Sequence, residues 1–159
     1  MRRSRFTRPQ QDFIMTDIRI IPMSMDDYPE AMDMWRGTEG IGLSAADEPE
    51  PMRAYLLRNP GLSHCARSGN ELVGTVLAGH DGRRGYLQHL CVREDFRKLG
   101  IGRRLVDTAL EALAAIGLDK AHAFIFSDNE QGKRFWTGIG WVWRTDLGIV
   151  SSMTGRDRK

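Results

Sequence analysis

Apolar positions alternate and then run together at Ile18-Arg19-Ile20-Ile21, which predicts a strand stopped by Pro22. Ser24 and Asp27 supply a helix-start signal, and Tyr28, Ala31, Met32 and Trp35 follow at helical spacing. Gly37 to Pro51 is rich in Gly, Ser, Asp and Pro and reads as a loop. Met52 to Leu57 reads as a short helix that Asn59-Pro60-Gly61 ends. Two strands are predicted next, Leu62 to Ala66 and Leu72 to Ala78, joined by Ser68-Gly69-Asn70. Gly79-His80-Asp81-Gly82 is turn chemistry, and Tyr86 to Val92 completes a meander of hairpins.

The period then changes. Ile101, Leu105, Ala109, Leu113 and Ile116 form one stripe at a spacing near 3.6, with Gly117 as the stop. Ala121 to Phe126 is apolar apart from His122, enough for a buried strand. A helix from Asn129 to Thr137 and a closing hairpin, Trp141 to Trp143 with Leu147 to Ser151, complete the prediction. Strand, long helix, strand implies a parallel pair joined by a right-handed crossover. The expected architecture is a single α/β domain over residues 17–153: a mixed, mostly antiparallel sheet with one parallel pair and helices on both faces.

Composition narrows the classes. With 159 residues, 41% hydrophobic and 28% charged, the chain has the makeup of one soluble domain. A net charge of +2 gives no case for nucleic acid as the principal partner. Arg2, Arg3, Arg5 and Arg8 crowd a basic arm, residues 1–16, that has no hydrophobic pattern. It is read as a disordered tail or a segment upstream of a start at Met15, in preference to a grip on an acidic partner. Residues 154–159 read as a short tail. No apolar run approaches the roughly 18 residues of a membrane span, and the arm lacks a secretory signal's apolar stretch. Cys65 and Cys91, without CxxC spacing, point away from disulfide or zinc scaffolds and toward a reducing cytoplasm.

The chemistry concentrates at Arg97-Lys98-Leu99-Gly100-Ile101-Gly102-Arg103, between a strand and the long helix. Two glycines there allow close backbone approach, and the first amides of a helix lack intrahelical partners at its positive dipole end. That combination binds phosphate. A Walker A loop is absent. A dinucleotide fingerprint fails because Leu105 holds the third glycine position.

The run Leu90-Cys91-Val92-Arg93-Glu94-Asp95-Phe96-Arg97-Lys98-Leu99-Gly100-Ile101-Gly102 resembles the core of the GNAT superfamily of N-acetyltransferases, small bacterial single-domain members in particular. There a strand ending in an L-x-V-like triplet leads to R/Q-x-x-G-x-G/A. Asn129 and Phe135-Trp136-Thr137-Gly138-Ile139-Gly140-Trp141 resemble a downstream segment of the same family. The match covers about residues 71 to 142. It implies the GNAT fold, with acetyl-CoA as cosubstrate and no metal. The backbone of Arg97, Lys98, Leu99, Gly100, Ile101, Gly102 and Arg103 would then cradle the pyrophosphate. Leu90, Cys91 and Val92, where two parallel strands splay apart, would carry the pantetheine arm and the acetyl carbonyl. Asn129 would bond the far side of that arm, with Phe135 and Trp136 at the thiol end.

The departures from the family pattern bear on chemistry. Glu94 replaces a common proline, and Trp136 stands where a tyrosine acid is frequent. Tyr86 and Phe124 occupy the positions where some members carry a glutamate base. His89 is the candidate proton relay near pH 7, set against a packed structural histidine; His122 is read as structural, and His64 and His80 are given no role. Cys91 as an acyl-enzyme nucleophile lacks a paired base. The expected reaction is direct attack of a primary amine in a ternary complex. Glu39, Asp47, Glu48 and Glu50 suggest a small cationic acceptor. The alternatives are a protein N-terminus or lysine as acceptor, or a non-catalytic acyl-CoA-binding regulatory module. A homodimer is compatible with the sequence.

Overall fold

A computed structural model describes residues 17–155; the basic arm and residues 156–159 lie outside the described residues. Strands β1 (Ile18–Pro22), β2 (His64–Ser68), β3 (Glu71–His80), β4 (Gly85–Val92) and β5 (Ala121–Ala123) form one sheet in sequence order. Helices α1 (Tyr28–Arg36) and α2 (Pro49–Arg58) lie between β1 and β2, and α3 (Ile101–Ala115) crosses from β4 to β5. All neighbours are antiparallel except β4 and β5, which run parallel. Residues up to Phe124 make one compact unit; those from Ile125 make a second, containing α4 (Glu130–Gly138).

Both sheet faces of the first unit are covered. Cys65, Leu77 and Cys91 join Ala31, Met32 and Trp35 of α1 and Met52 of α2 in one cluster. The opposite face takes α3, whose Ile101, Leu105, Val106, Ala109 and Leu113 are at most 2% exposed. Close approach of this helix requires Gly85, where a Cβ would lie 2.6 Å from Leu113 Cδ1. Inside the α1 layer, Trp35 Nε1 donates to Thr75 Oγ1 at 2.8 Å, so the indole is buried with its polar atom satisfied.

Three expectations need correction. The segment Ala121 to Phe126 is a three-residue strand, half-buried rather than buried, with Phe124 and Phe126 each 57% exposed. Its ladder stops at Leu87↔Ala123, just before the register of β4 against β3 shifts. Ile116 lies beyond the last turn of α3 and is exposed. The closing hairpin does not form: among the described residues no strand follows β5, and Val142, Leu147, Ile149 and Val150 are exposed. Strand propensity measures fit to a neighbouring strand, and this segment has none.

Candidate active site

Strand β4 is irregular where it matters. Thr75 faces Cys91 and Leu77 faces Gln88, so Val76 alone opposes His89 and Leu90. This is a β-bulge, and its first residue, His89, has φ of 49°, a left-handed conformation uncommon for side-chain-bearing residues. The bulge puts Gln88 and Cys91, three apart, opposite residues of the same β3 face. Thr75 Oγ1 donates to the His89 carbonyl at 2.9 Å, tying the bulge to β3 and, through the indole, to α1.

The imidazole of His89 lies edge-on to Trp35, with centroids 4.7 Å apart, and its Nε2 is 2.6 Å from Asp47 Oδ1. Asp47 closes a 3₁₀ turn, Ala45–Asp47, in the loop between α1 and α2. Its second oxygen accepts from Ser44 N–H at 2.8 Å, and the Tyr28 hydroxyl donates to its carbonyl at 2.8 Å. Asp47 is therefore buried with both carboxylate oxygens bonded, unlike the exposed Glu39, Glu48 and Glu50. Glu50 pairs with Arg53 at 3.8 Å on the surface. Asp47 and Glu48 line a cleft of about 250 Å³ with Met32, Arg36, Leu43 and Ser44.

Past Val92, Arg93 organises the descent. Its guanidinium bonds Asp95 and Glu71 and lies 5.0 Å over the Phe96 ring, bracing a 3₁₀ turn at Glu94–Phe96. Arg97 Nε donates to the Val92 carbonyl at 2.9 Å. Lys98 and Gly100 both adopt positive φ, 60° and 80°, reversing the chain into α3. Gly100 is the N-cap, without a side-chain cap and with no acidic residue in the first turn. The amides of Ile101, Gly102 and Arg103 thus meet the positive end of a 15-residue helix dipole unopposed. Of the basic residues nearby, Arg104 is structural, donating to the Ile18 carbonyl at 3.0 Å. Arg103 is 3.7 Å from Asp107, and Lys98 forms no ion pair among the described residues.

On the other edge of β4, parallel pairing ends at Leu87, so the half-buried Leu90 and Val92 have no β5 partner. Tyr86 and Phe124 do meet, stacked at 5.9 Å, with His122 at 6.0 Å from Tyr86; neither is itself a carboxylate, and the Tyr86 hydroxyl donates to Asp81 Oδ2 at 3.3 Å. His64 is buried, its Nδ1 2.9 Å from the Leu62 carbonyl, and burial lowers its pKa. His80 accepts from Gly82 N–H in its turn. Among the described residues no cluster of three or more His, Cys, Asp or Glu is arranged for a metal, and no helix is long and apolar enough to cross a membrane.

In the second unit, Asn129 caps α4, its Oδ1 accepting from Gly132 N–H at 2.9 Å, which leaves Nδ2 to donate elsewhere. Trp136 is buried between Phe135 and Trp141, at 5.4 and 4.4 Å.

Cys91 is 3% exposed and 3.1 Å from the Thr38 hydroxyl, and burial pushes its thiol up. Cys65 is pushed to about 12, again by burial. Neither thiol should react with iodoacetamide at pH 8 in the native chain, whereas both should after unfolding, and Cys91→Ser should retain turnover. Rapid native labelling at Cys91, read by peptide mass, would contradict this.

The profile of the Acetyltransferase (GNAT) family matches residues 28–141. An acetyltransferase of Pectobacterium atrosepticum is 32% identical over 115 residues, 72% of this chain and 79% of that protein. Among solved structures, the NatC complex bound to Gag peptide and CoA matches with a TM-score of 0.66 at 20% identity, over 79% of this chain and 85% of that one. AAC(6')-Iy, in complex with a CoA-linked bisubstrate analogue, matches with a TM-score of 0.67 at 15% identity, over 87% and 99%. At these identities the two structures establish a shared fold.

Proposed function

The chain belongs to the GNAT acetyltransferase family, and on that premise we propose that it transfers the acetyl group of acetyl-CoA to a primary amine by direct attack in a ternary complex. The observation that carries the reading is the β4–α3 junction: a strand edge released from its parallel partner, leading into an uncapped helix start. Pyrophosphate suits the amides of residues 98–103, with Lys98 and Arg103 adding positive charge; the Arg97 amide already donates to the Glu94 carbonyl at 3.3 Å. The free edge at Leu90, Cys91 and Val92 suits the amide-bearing pantetheine arm. Asn129, Phe135 and Trp136 are assigned to the same cosubstrate by family resemblance alone, with residues 17–153 as the functional domain.

The acceptor in this reading is a small cationic amine, because Asp47 and Glu48 line the cleft between α1 and the loop that follows it, alongside Arg36. His89 is the candidate proton relay. Steady-state rates with acetyl-CoA against spermidine, cadaverine, lysine and a tetrapeptide with a free N-terminus test the acceptor class. The expected order places the polyamines first. A peptide preference would favour protein acetylation, and binding of acetyl-CoA without turnover of any amine would favour a regulatory module.

A further inference from the structure

His89 occupies a left-handed bulge position that glycine adopts without strain, yet its side chain is held by two neighbours and its carbonyl by a third. Asp47 reaches it from the 3₁₀ turn, Trp35 from α1, and Thr75 fixes its carbonyl from β3. An ionised carboxylate only accepts hydrogen bonds, so the 2.6 Å contact puts a proton on Nε2. In neutral imidazole the lone pair then sits on Nδ1. Nδ1 has no hydrogen-bond partner among the described residues, and no buried side-chain nitrogen or oxygen there lacks one. Nδ1 is therefore not sealed in the interior, although the side chain as a whole is only 13% exposed. One nitrogen is anchored to a buried acid and the other is free. Sheet packing alone does not require that arrangement.

We propose that Asp47 and His89 work as one unit in acetyl transfer, Asp47 as the positioning residue and His89 Nδ1 as the proton acceptor. The inference rests on the acetyl-transfer reading and adds the atom that takes the proton and the residue that aims it. As the amine nitrogen bonds the thioester carbonyl carbon, Nδ1 removes one N–H proton. The C–S bond breaks with its electron pair going to sulfur, and the thiolate takes a proton from water. The imidazolium returns its proton to solvent, so the sum is amine plus thioester giving amide plus thiol. Asp47 also lines the cleft, which puts the aiming carboxylate beside the space offered to the acceptor. The groups that meet the imidazole are Asp47 from the 3₁₀ turn and the Trp35 ring from α1, while Thr75 of β3 holds the His89 backbone carbonyl.

The test uses the full chain, acetyl-CoA, and whichever amine of spermidine, cadaverine, lysine and tetrapeptide gives the greatest wild-type rate. His89→Gly keeps a residue suited to the bulge and opens space for added imidazole. Its kcat should fall about 10²–10⁴-fold with the KM for acetyl-CoA little changed, as for loss of a general base, and 50–100 mM imidazole, roughly the range for chemical rescue, should restore part of it. Asp47→Asn should lower kcat by at least about 10²-fold, as when an orienting carboxylate becomes an amide. Long-range ¹H–¹⁵N spectra should show the Nε2–H tautomer at His89 in wild type and a mixture in Asp47→Asn. Full kcat in His89→Gly, or a loss that imidazole leaves untouched while circular dichroism and acetyl-CoA binding are normal, overturns the proposal alone. An Nδ1–H tautomer in wild type does the same. If wild type acetylates no amine, the acetyl-transfer reading fails first and the proposal falls with it.

Discussion

Gly102→Leu should abolish measurable CoA binding and leave the fold intact. The residue sits in the first turn of α3, where three consecutive amides have no partner among the described residues and the turn itself carries no acidic side chain. A side chain there stands where phosphate oxygens must come within hydrogen-bond reach of backbone nitrogen. Folding should move the other way. Glycine within a helix is about 0.8–1.0 kcal/mol less favourable than alanine, and leucine lies near alanine. Weaker binding with equal or greater thermal stability is thus the expected signature. Calorimetry with CoA should show affinity reduced by roughly 10²-fold or more, at least about 2.7 kcal/mol. Undiminished affinity would remove this loop from the cosubstrate site.

Trp35→Ala should destabilise the domain by about 3–5 kcal/mol, the usual range for deleting a buried aromatic. The ring is 1% exposed, and its N–H fills the acceptor site of a hydroxyl that is itself 0% exposed. Against a typical total of about 5–15 kcal/mol, that loss should be plain in a urea titration. Trp35→Phe keeps most of the volume but leaves the Thr75 oxygen short of one donor, and should fall between the two. The same deletion removes the surface on which the His89 ring rests. A change below about 1 kcal/mol on Trp35→Ala would mean that the α1 layer contributes far less than its burial indicates.

What could be read in the sequence follows from where the physics is local. The stripe of α3 and the meander are periodic within single segments, and Ile101, Leu105, Ala109 and Leu113 are buried as the spacing requires. The 97–103 turn was legible because its glycines and basic residues are contiguous. The Asp47–His89 contact joins positions 42 residues apart, and residue type alone does not separate Asp47 from Glu39, Glu48 and Glu50. One signal was available: Ser44-Ala45-Ala46-Asp47 has capping-box spacing, and the box forms. The bulge was invisible because one extra residue changes the facing of His89 without altering residue type. Val142 to Val150 shows the converse failure, strand-like composition without a partner strand.

The central claim is tested most directly by a single-turnover experiment with acetyl-CoA carrying radiolabel in the acetyl group, excess enzyme and the amine panel. The account predicts that label appears on an amine as a hydroxylamine-resistant amide, in step with release of free CoA thiol, and that no labelled protein accumulates on the way. Label retained in acetyl-CoA with every amine, although CoA binds, would contradict it. So would label trapped on the protein as a hydroxylamine-sensitive thioester.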